Sequence, residues 1–217
     1  MEENNGASSG GRRGMTAGAP LLSAPGHQED SEVRRLLAAL SGEHRLIDVL
    51  LGVMRETLAG IGQTKRADPG LLHGITDFMR GFVEQCHHRK EEHILYRELF
   101  CRELSAGHRG LIDQALGEHA AMQSRVRELE HATACYEDGP AAALDRVAAG
   151  LQELLMLCPL HIAREETHVG ELVRCYFTGN EKEGLLRRYQ GADRDPAGGR
   201  HRILLNELRA RCPASCP

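Results

Sequence analysis

The 217-residue sequence has no tryptophan, four tyrosines and four phenylalanines, so aromatic residues make up 4% of the chain. So few aromatic rings argue against a surface that stacks on nucleic-acid bases or sugars. No run of about 18 apolar residues is present, so we expect no segment to span a membrane. The 27 Lys and Arg residues do not outnumber the 31 Asp and Glu residues, so the sequence also lacks the basic excess typical of nucleic-acid binding.

The sequence also lacks paired cysteines. Its seven cysteines are scattered and include no Cys-x-x-Cys motif. Because their number is odd and no secretory signal is recognisable, we expect free thiols in a reducing compartment, and therefore a cytoplasmic location. Cys86 and Cys158 fall in apolar stretches, where a thiol packs as a small hydrophobic group.

Four segments have the apolar spacing of amphipathic helices, at about 31–59, 71–104, 109–137 and 141–177. Pro159 lies inside the fourth segment and is expected to kink or split it. Strand patterns are absent, and long helices joined by short loops favour an all-α, up-down-up-down four-helix bundle. We therefore predict a disordered N-terminal arm at 1–30, a bundle at 31–178, and a C-terminal extension at 179–217 with short helices near 181–190 and 200–211.

Histidine is the residue present in excess, with 12 copies. Each predicted bundle helix carries one histidine on or beside its apolar stripe: His44, His87, His119 and His161. Residues four apart share a helix face, so Glu91 and Glu165 accompany the second and fourth of these histidines. A lone inward histidine is usually a hydrogen-bonded core residue, but buried carboxylates need partners or a metal. The combined set therefore predicts a metal site.

The same pattern of residues occurs twice along the chain. Gly42-Glu43-His44 returns 75 residues later as Gly117-Glu118-His119, and His87-x-x-x-Glu91-Glu92 returns 74 residues later as His161-x-x-x-Glu165-Glu166. Two hairpins with matching chemistry predict a pseudo-twofold centre, which suits two metal ions bridged by carboxylates. Imidazole and carboxylate ligands favour iron, zinc, manganese or cobalt. Six or seven such ligands fit two six-coordinate iron ions better than one tetrahedral zinc, although another divalent metal stays open.

These motifs resemble the hemerythrin family of HHE cation-binding domains over about residues 35–177. The resemblance rests on Glu43-His44, on residues 87–92, on Glu118-His119 and on residues 161–166, which follow one another in the family's order. It implies a left-turning four-helix bundle around a nonheme diiron centre, and dioxygen or another small diatomic molecule as the partner. The ligands that it implies are His44, His87, Glu91, His119, His161 and Glu165.

The sequence departs from the oxygen-carrying members in two places. Gln123 stands where those proteins have a second histidine on the third helix. Glu165 follows His161 by four positions where those proteins use five, so Glu166 is a competing ligand. The pattern is closer to hemerythrin-like proteins that include the iron-sensing domain of a ubiquitin-ligase F-box protein. That similarity implies His88 as a seventh ligand, the alternative being a histidine outside the ligand set or facing solvent.

We expect a nonheme diiron protein that binds or senses dioxygen or iron. One alternative is a diiron oxidase, peroxidase or nitric-oxide-related enzyme, although no flavin or nucleotide motif is visible. The other alternative is a metal-free helical interaction module. His93 and His168 lie beside the ligand motifs and are candidates for hydrogen-bond partners of the ligands. Four further histidines are expected to be exposed: His73, His108, His131 and His201.

Overall fold

The computed structural model describes residues 26–137, 139, 141–192 and 199–212. Within these ranges the regular secondary structure is helical, without strands, which confirms the all-α prediction. The helices are α1 (Gly26–Thr64), α2 (residues 69–100), α3 (Ala106–Glu137), α4 (Ala141–Tyr176), α5 (Gly179–Gly191) and α6 (Gly199–Arg211). The last five residues of the predicted N-terminal arm belong to α1, and residues 1–25 lie outside the described residues. No helix in the described ranges combines the length and apolar character needed to cross a membrane.

Two buried apolar clusters show how the four long helices are arranged. The first apolar cluster contains Leu50, Ile75, Val126 and Leu151, and the second contains Leu36, Leu99, Ile112 and Leu172. The first cluster therefore joins the later parts of α1 and α3 to the beginnings of α2 and α4. The second cluster joins the beginnings of α1 and α3 to the later parts of α2 and α4. Helices that follow one another in the chain run in opposite directions, as in an up-down-up-down bundle.

Helix α2 is irregular in the middle. Its α-helical ends, Pro69–Phe78 and Arg97–Phe100, flank π-helical stretches over Met79–His88 and Glu91–Tyr96. In a π turn the hydrogen bonds run from residue i to i+5, a rare geometry that is frequent at functional sites. The sequence predicts a regular helix here. The widened turns change which side chains face the bundle, and the predicted ligands of α2 lie within them.

Two proline positions affect the helices differently. Pro69 is the first residue of α2, where a missing N–H is not needed, and the Asp68 side chain caps the helix by accepting from the N–H of Gly70. Pro159 lies inside α4, which continues through it, so the predicted split is wrong. Leu154 and Ile162 are buried on either side of the proline. Their packing compensates for the hydrogen bond that the proline ring removes.

The C-terminal helices pack on the bundle beside α1 and α2. Helix α5 begins with a capping box between Thr178 and Glu181, and its Tyr189 is buried in the second apolar cluster. Helix α6 buries Leu208 in the first apolar cluster, against α2. A Cβ atom at Gly74 would lie 2.3 Å from Leu208. Through Tyr189 and Leu208, helices α5 and α6 therefore extend the two apolar clusters.

Candidate metal centre

A layer of buried polar residues lies between the two apolar clusters. It contains all seven predicted ligands, none of them more than 3% exposed: His44, His87, His88, Glu91, His119, His161 and Glu165. Lone buried histidines and carboxylates are uncommon. The fold has gathered residues from all four long helices into one small volume.

The layer contains two overlapping sets of potential ligands. The first position is formed by His44 and His87 with Glu91 and Glu165, and the second by His119 and His161 with the same two glutamates. In each set the ligand atoms lie within 4.8 Å of one another. One oxygen of Glu165 is 3.3 Å from His44 Nε2, and the other is 3.3 Å from His161 Nε2. Glu91 and Glu165 are therefore shared between the two ligand sets.

His88 joins the second position. Its ring stacks on His119, with 3.8 Å between ring centroids and 8° between ring planes. His88 also forms a set of three potential ligands with His119 and His161. The solvent-facing alternative for His88 is wrong, because the residue is buried and its Nδ1 has no hydrogen-bond partner.

Four glutamates, here called the outer carboxylates, orient the other four histidines. They accept hydrogen bonds from Nδ1: Glu43 from His87 at 3.0 Å, Glu166 from His44 at 3.1 Å, Glu92 from His119 at 2.8 Å and Glu118 from His161 at 2.9 Å. A carboxylate accepts only from a protonated nitrogen, so each Nε2 faces inward with its lone pair, the arrangement that binds a metal. Glu166 therefore lies outside the ligand set, and Glu165 points into it.

The sequence contained a signal for the outer carboxylates that our prediction did not use. Glu43 and Glu118 directly precede ligand histidines, and Glu92 and Glu166 directly follow ligand glutamates, in both copies of the repeat. Each one reaches a histidine on a neighbouring helix, which spacing along one helix does not reveal. His93, proposed for this role, is exposed.

Of the four histidines predicted to be exposed, His73 and His131 are exposed, whereas His108 and His201 are not. His168 is half-buried near the second position. His108 and His201 are also half-buried, the first 2.8 Å from the Tyr176 hydroxyl and the second against the ring of Phe82.

Tyr96 is a further residue of the site that the sequence analysis missed. Its hydroxyl donates a 2.7 Å hydrogen bond to Glu165 inside the layer. Burial raises the pKa of Tyr96 well above its ordinary value, and the Glu165 charge adds to the effect. Tyr96 therefore stays protonated and holds the Glu165 carboxylate in place.

Several buried atoms in the layer have no hydrogen-bond partner. They are Nε2 of His44 and His87, Nδ1 of His88, both carboxylate oxygens of Glu91, and Oε2 of Glu165. In addition, the Nε2 atoms of His119 and His161 face each other at 3.1 Å, although the outer carboxylates direct a lone pair inward from each ring. Unpaired buried polar groups cost free energy. Cations bound among these atoms would satisfy them, so the residues fit a metal centre.

The two shared carboxylates, Glu91 and Glu165, differ in charge state. Burial raises the pKa of Glu91 well above its ordinary value, and the charge of Glu165 reinforces this effect. Burial acts on Glu165 in the same direction, but the neighbouring imidazoles of His119 and His44 outweigh burial and hold the pKa of Glu165 well below its usual range. One carboxylate thus favours a proton and the other a negative charge. A bound metal ion can take the place of the proton.

A small cavity adjoins the second position. Its volume is about 20 Å³, room for about one water molecule. Tyr96, His161 and Glu165 contribute polar atoms to the wall. The apolar part of the wall consists of Leu111, Ile112, Ala115, Val169 and Leu172. The cavity therefore offers a small, mainly apolar space beside the ligands.

Comparison with known proteins agrees with this geometry. The family model for the hemerythrin HHE cation binding domain matches residues 35–173, which include all seven predicted ligands and the four outer carboxylates. Neither curated proteins nor solved structures gave a significant match. The match covers more than half of the chain and leaves α5 and α6 outside it. With its buried histidine and glutamate clusters suited to metal binding, the chain belongs to the hemerythrin family of HHE cation-binding domains.

Proposed function

We propose that the buried layer holds two iron ions and that the protein binds or senses dioxygen or another small diatomic molecule there. The observation that carries the proposal is the sharing of Glu91 and Glu165 between two ligand sets. Five imidazole nitrogens and four carboxylate oxygens exceed the eight positions of two tetrahedral zinc ions. The same nine ligand atoms do not fill the coordination positions of two six-coordinate iron ions, so positions stay open for another ligand.

The cavity supports a diatomic ligand. A volume of about 20 Å³, close to the space of one water molecule, restricts a ligand to a very small molecule and is far too small for an organic substrate. Iron bound in the layer would supply the electrons that dioxygen binding requires. Around it, Tyr96 holds Glu165 by a hydrogen bond, and apolar side chains such as Ile112 and Val169 line the adjoining space. These features favour binding or sensing over an enzyme that acts on a larger substrate.

The unpaired atoms argue against the metal-free interaction module. Without a cation, Glu91 buries two carboxylate oxygens that have no partner, and His119 and His161 face each other through Nε2. Such groups destabilise a fold that never binds metal. An interaction module would be more stable with apolar residues at these positions.

The cysteines and the overall composition bear on the location and the partners of the protein. The six cysteines among the described residues are free. Free thiols support the proposed reducing, cytoplasmic compartment. We propose neither a nucleic acid nor a membrane as a partner, because the chain combines a net charge of −4 with few aromatic residues.

The test is to load the purified chain with Fe(II) without oxygen, count the bound iron, and then admit oxygen while recording the visible spectrum. We expect two irons per chain and a charge-transfer band that disappears when oxygen is removed. Irreversible oxidation with turnover would indicate an enzyme instead. Glu91→Ala and Glu165→Ala should each lose at least one iron, whereas Glu207→Ala, at an exposed position of α6, should bind two. Absence of iron and of the band in the unmodified protein would refute the proposal.

A further inference from the structure

Each half of the centre has a basic residue at an equivalent position outside the ligand layer. In each half, the residue three positions after the ligand histidine of α2 or α4 forms an ion pair with the outer carboxylate that orients that histidine. Lys90 pairs with Glu43 in the half that contains the first position, and Arg164 pairs with Glu118 in the other half. Because the pairs correspond, any difference in their surroundings breaks the symmetry between the two metal positions.

Helix α5 seals the first of these pairs. The Lys90 side chain is 5% exposed, and its Nζ lies 4.7 Å from the centre of the Tyr189 ring. The Tyr189 hydroxyl donates a 3.4 Å hydrogen bond to the same Glu43 oxygen that accepts from His87. Tyr189 is buried, and it lies outside the region that matches the family.

The corresponding pair in the other half is open. The Arg164 side chain is 39% exposed. Arg164 and Glu118 also line the small cavity that reaches His161. Glu118 and Glu43 are equally buried, with side chains 15% and 14% exposed, so the two pairs differ in the cation: Arg164 contacts solvent, whereas Lys90 is covered.

We propose that Tyr189 and Lys90 are positioning residues that make the two metal positions unequal. By fixing Glu43, they fix the ring of His87, so that the first position exchanges its metal slowly. The second position exchanges quickly, through the cavity side. This inference rests on the proposed two-iron function.

The physical basis is the coupling between ligands and the residues that orient them. A ligand histidine leaves its metal only when the ring can rotate away, and its outer partner resists that rotation. The other histidine of the first position, His44, is oriented by Glu166, whose side chain is 46% exposed. Slow exchange therefore depends on the His87 side and on the cover supplied by Tyr189.

The experiment measures iron release from the full chain. The protein is loaded with two Fe(II) ions without oxygen, mixed with excess colorimetric Fe(II) chelator, and followed by absorbance. We expect two phases of equal amplitude. Tyr189→Ala and Lys90→Met should accelerate the slow phase about tenfold and leave the fast phase unchanged. Tyr189→Phe keeps the packing and removes the hydroxyl, so it should produce a smaller acceleration of the same phase.

Arg164→Met is the matched control, because it changes the corresponding residue of the other half. It should leave the slow phase unchanged. Two irons released in a single phase from the unmodified protein would overturn this inference alone. So would variants of Tyr189 and Lys90 that accelerate both phases equally, which is the behaviour of a residue with only a structural role. Binding of fewer than two irons would overturn the proposed function, and this inference with it.

Discussion

Replacing Glu91 by glutamine should stabilise the metal-free protein and abolish its stabilisation by iron. Glu91 is fully buried, and neither of its carboxylate oxygens has a hydrogen-bond partner. Its oxygens lie 3.5 Å from His119 Nε2 and 3.8 Å from His87 Nε2, both of which present lone pairs. A glutamine amide of the same size has no charge and can donate to one of these nitrogens.

The expected gain follows from that one hydrogen bond and from removing the free-energy cost of keeping a titratable carboxyl group buried. The metal-free variant should gain about 1–2 kcal/mol in free energy of unfolding, or about 2–8 °C in Tm for a chain of this size. Iron at about 100 times its Kd should add about 2.7 kcal/mol to the wild type. A Kd raised about 100-fold leaves the variant with less than about 0.5 kcal/mol from the same iron. The order of stability should therefore reverse when iron is added.

The metal-free difference should also depend on pH. Because burial raises the pKa of Glu91, the unfolded chain releases this proton at a lower pH than the folded chain. Ionisation then favours the unfolded wild type increasingly as pH rises above the ordinary glutamate pKa of about 4.3, and the glutamine variant lacks this penalty. The advantage of the variant should be small near about pH 5 and larger near about pH 8.

The assay is thermal unfolding without oxygen, with and without Fe(II), for the wild type, Glu91→Gln and the control Glu207→Gln. The control changes an exposed glutamate on α6 and should follow the wild type under both conditions. A Glu91→Gln protein that is less stable than the wild type without metal would show that Glu91 is a structural core residue. An undiminished iron effect in this variant would equally refute the bridging role.

Three further predictions concern single side chains. Tyr96→Phe removes the hydroxyl that donates to a bridging carboxylate, so iron affinity should fall about 10-fold or more in a chelator competition; an unchanged affinity would contradict this. Burial raises the pKa of Cys158 to about 12, so in the native protein at about pH 8 a thiol reagent should label exposed Cys175 and leave Cys158 unlabelled in a mass-spectrometric peptide map. Gly74→Ala should cost about 1–3 kcal/mol in denaturant unfolding because the new methyl group overlaps a leucine of α6. Gly52→Ala, with open space around it, should instead stabilise by about 0.5–1 kcal/mol.

The bundle could be predicted from sequence because its long helices carry uninterrupted apolar spacing. The errors occur where tertiary contacts override local rules. Pro159 opposes a helix locally, yet its buried neighbours keep α4 continuous. The π turns of α2 were not predicted, because the apolar spacing used to recognise a helix does not distinguish hydrogen bonds to residue i+5 from those of an α-helix.

The candidate ligands could be predicted from sequence because the same motif occurs in both halves of the bundle. What the repeat could not give is the contacts between helices. Glu43 reaches His87 across a helix boundary, and Tyr96 reaches Glu165 in the same way. Lys90 is the clearest case, because a lysine is ordinarily exposed and is buried here by Tyr189 of a helix beyond the family match.

The outer carboxylates have a consequence for how the helices settle against one another. Their hydrogen bonds run from α1 to α2, from α2 to α3, from α3 to α4 and from α4 back to α1, and so close a ring around the bundle. Apolar side chains tolerate small axial sliding, but a directional hydrogen bond does not. A helix that slipped by one residue, about 1.5 Å, would break its bonds to both neighbours at once. The ring therefore fixes the positions of all four helices along the bundle axis relative to one another, through bonds between protein side chains.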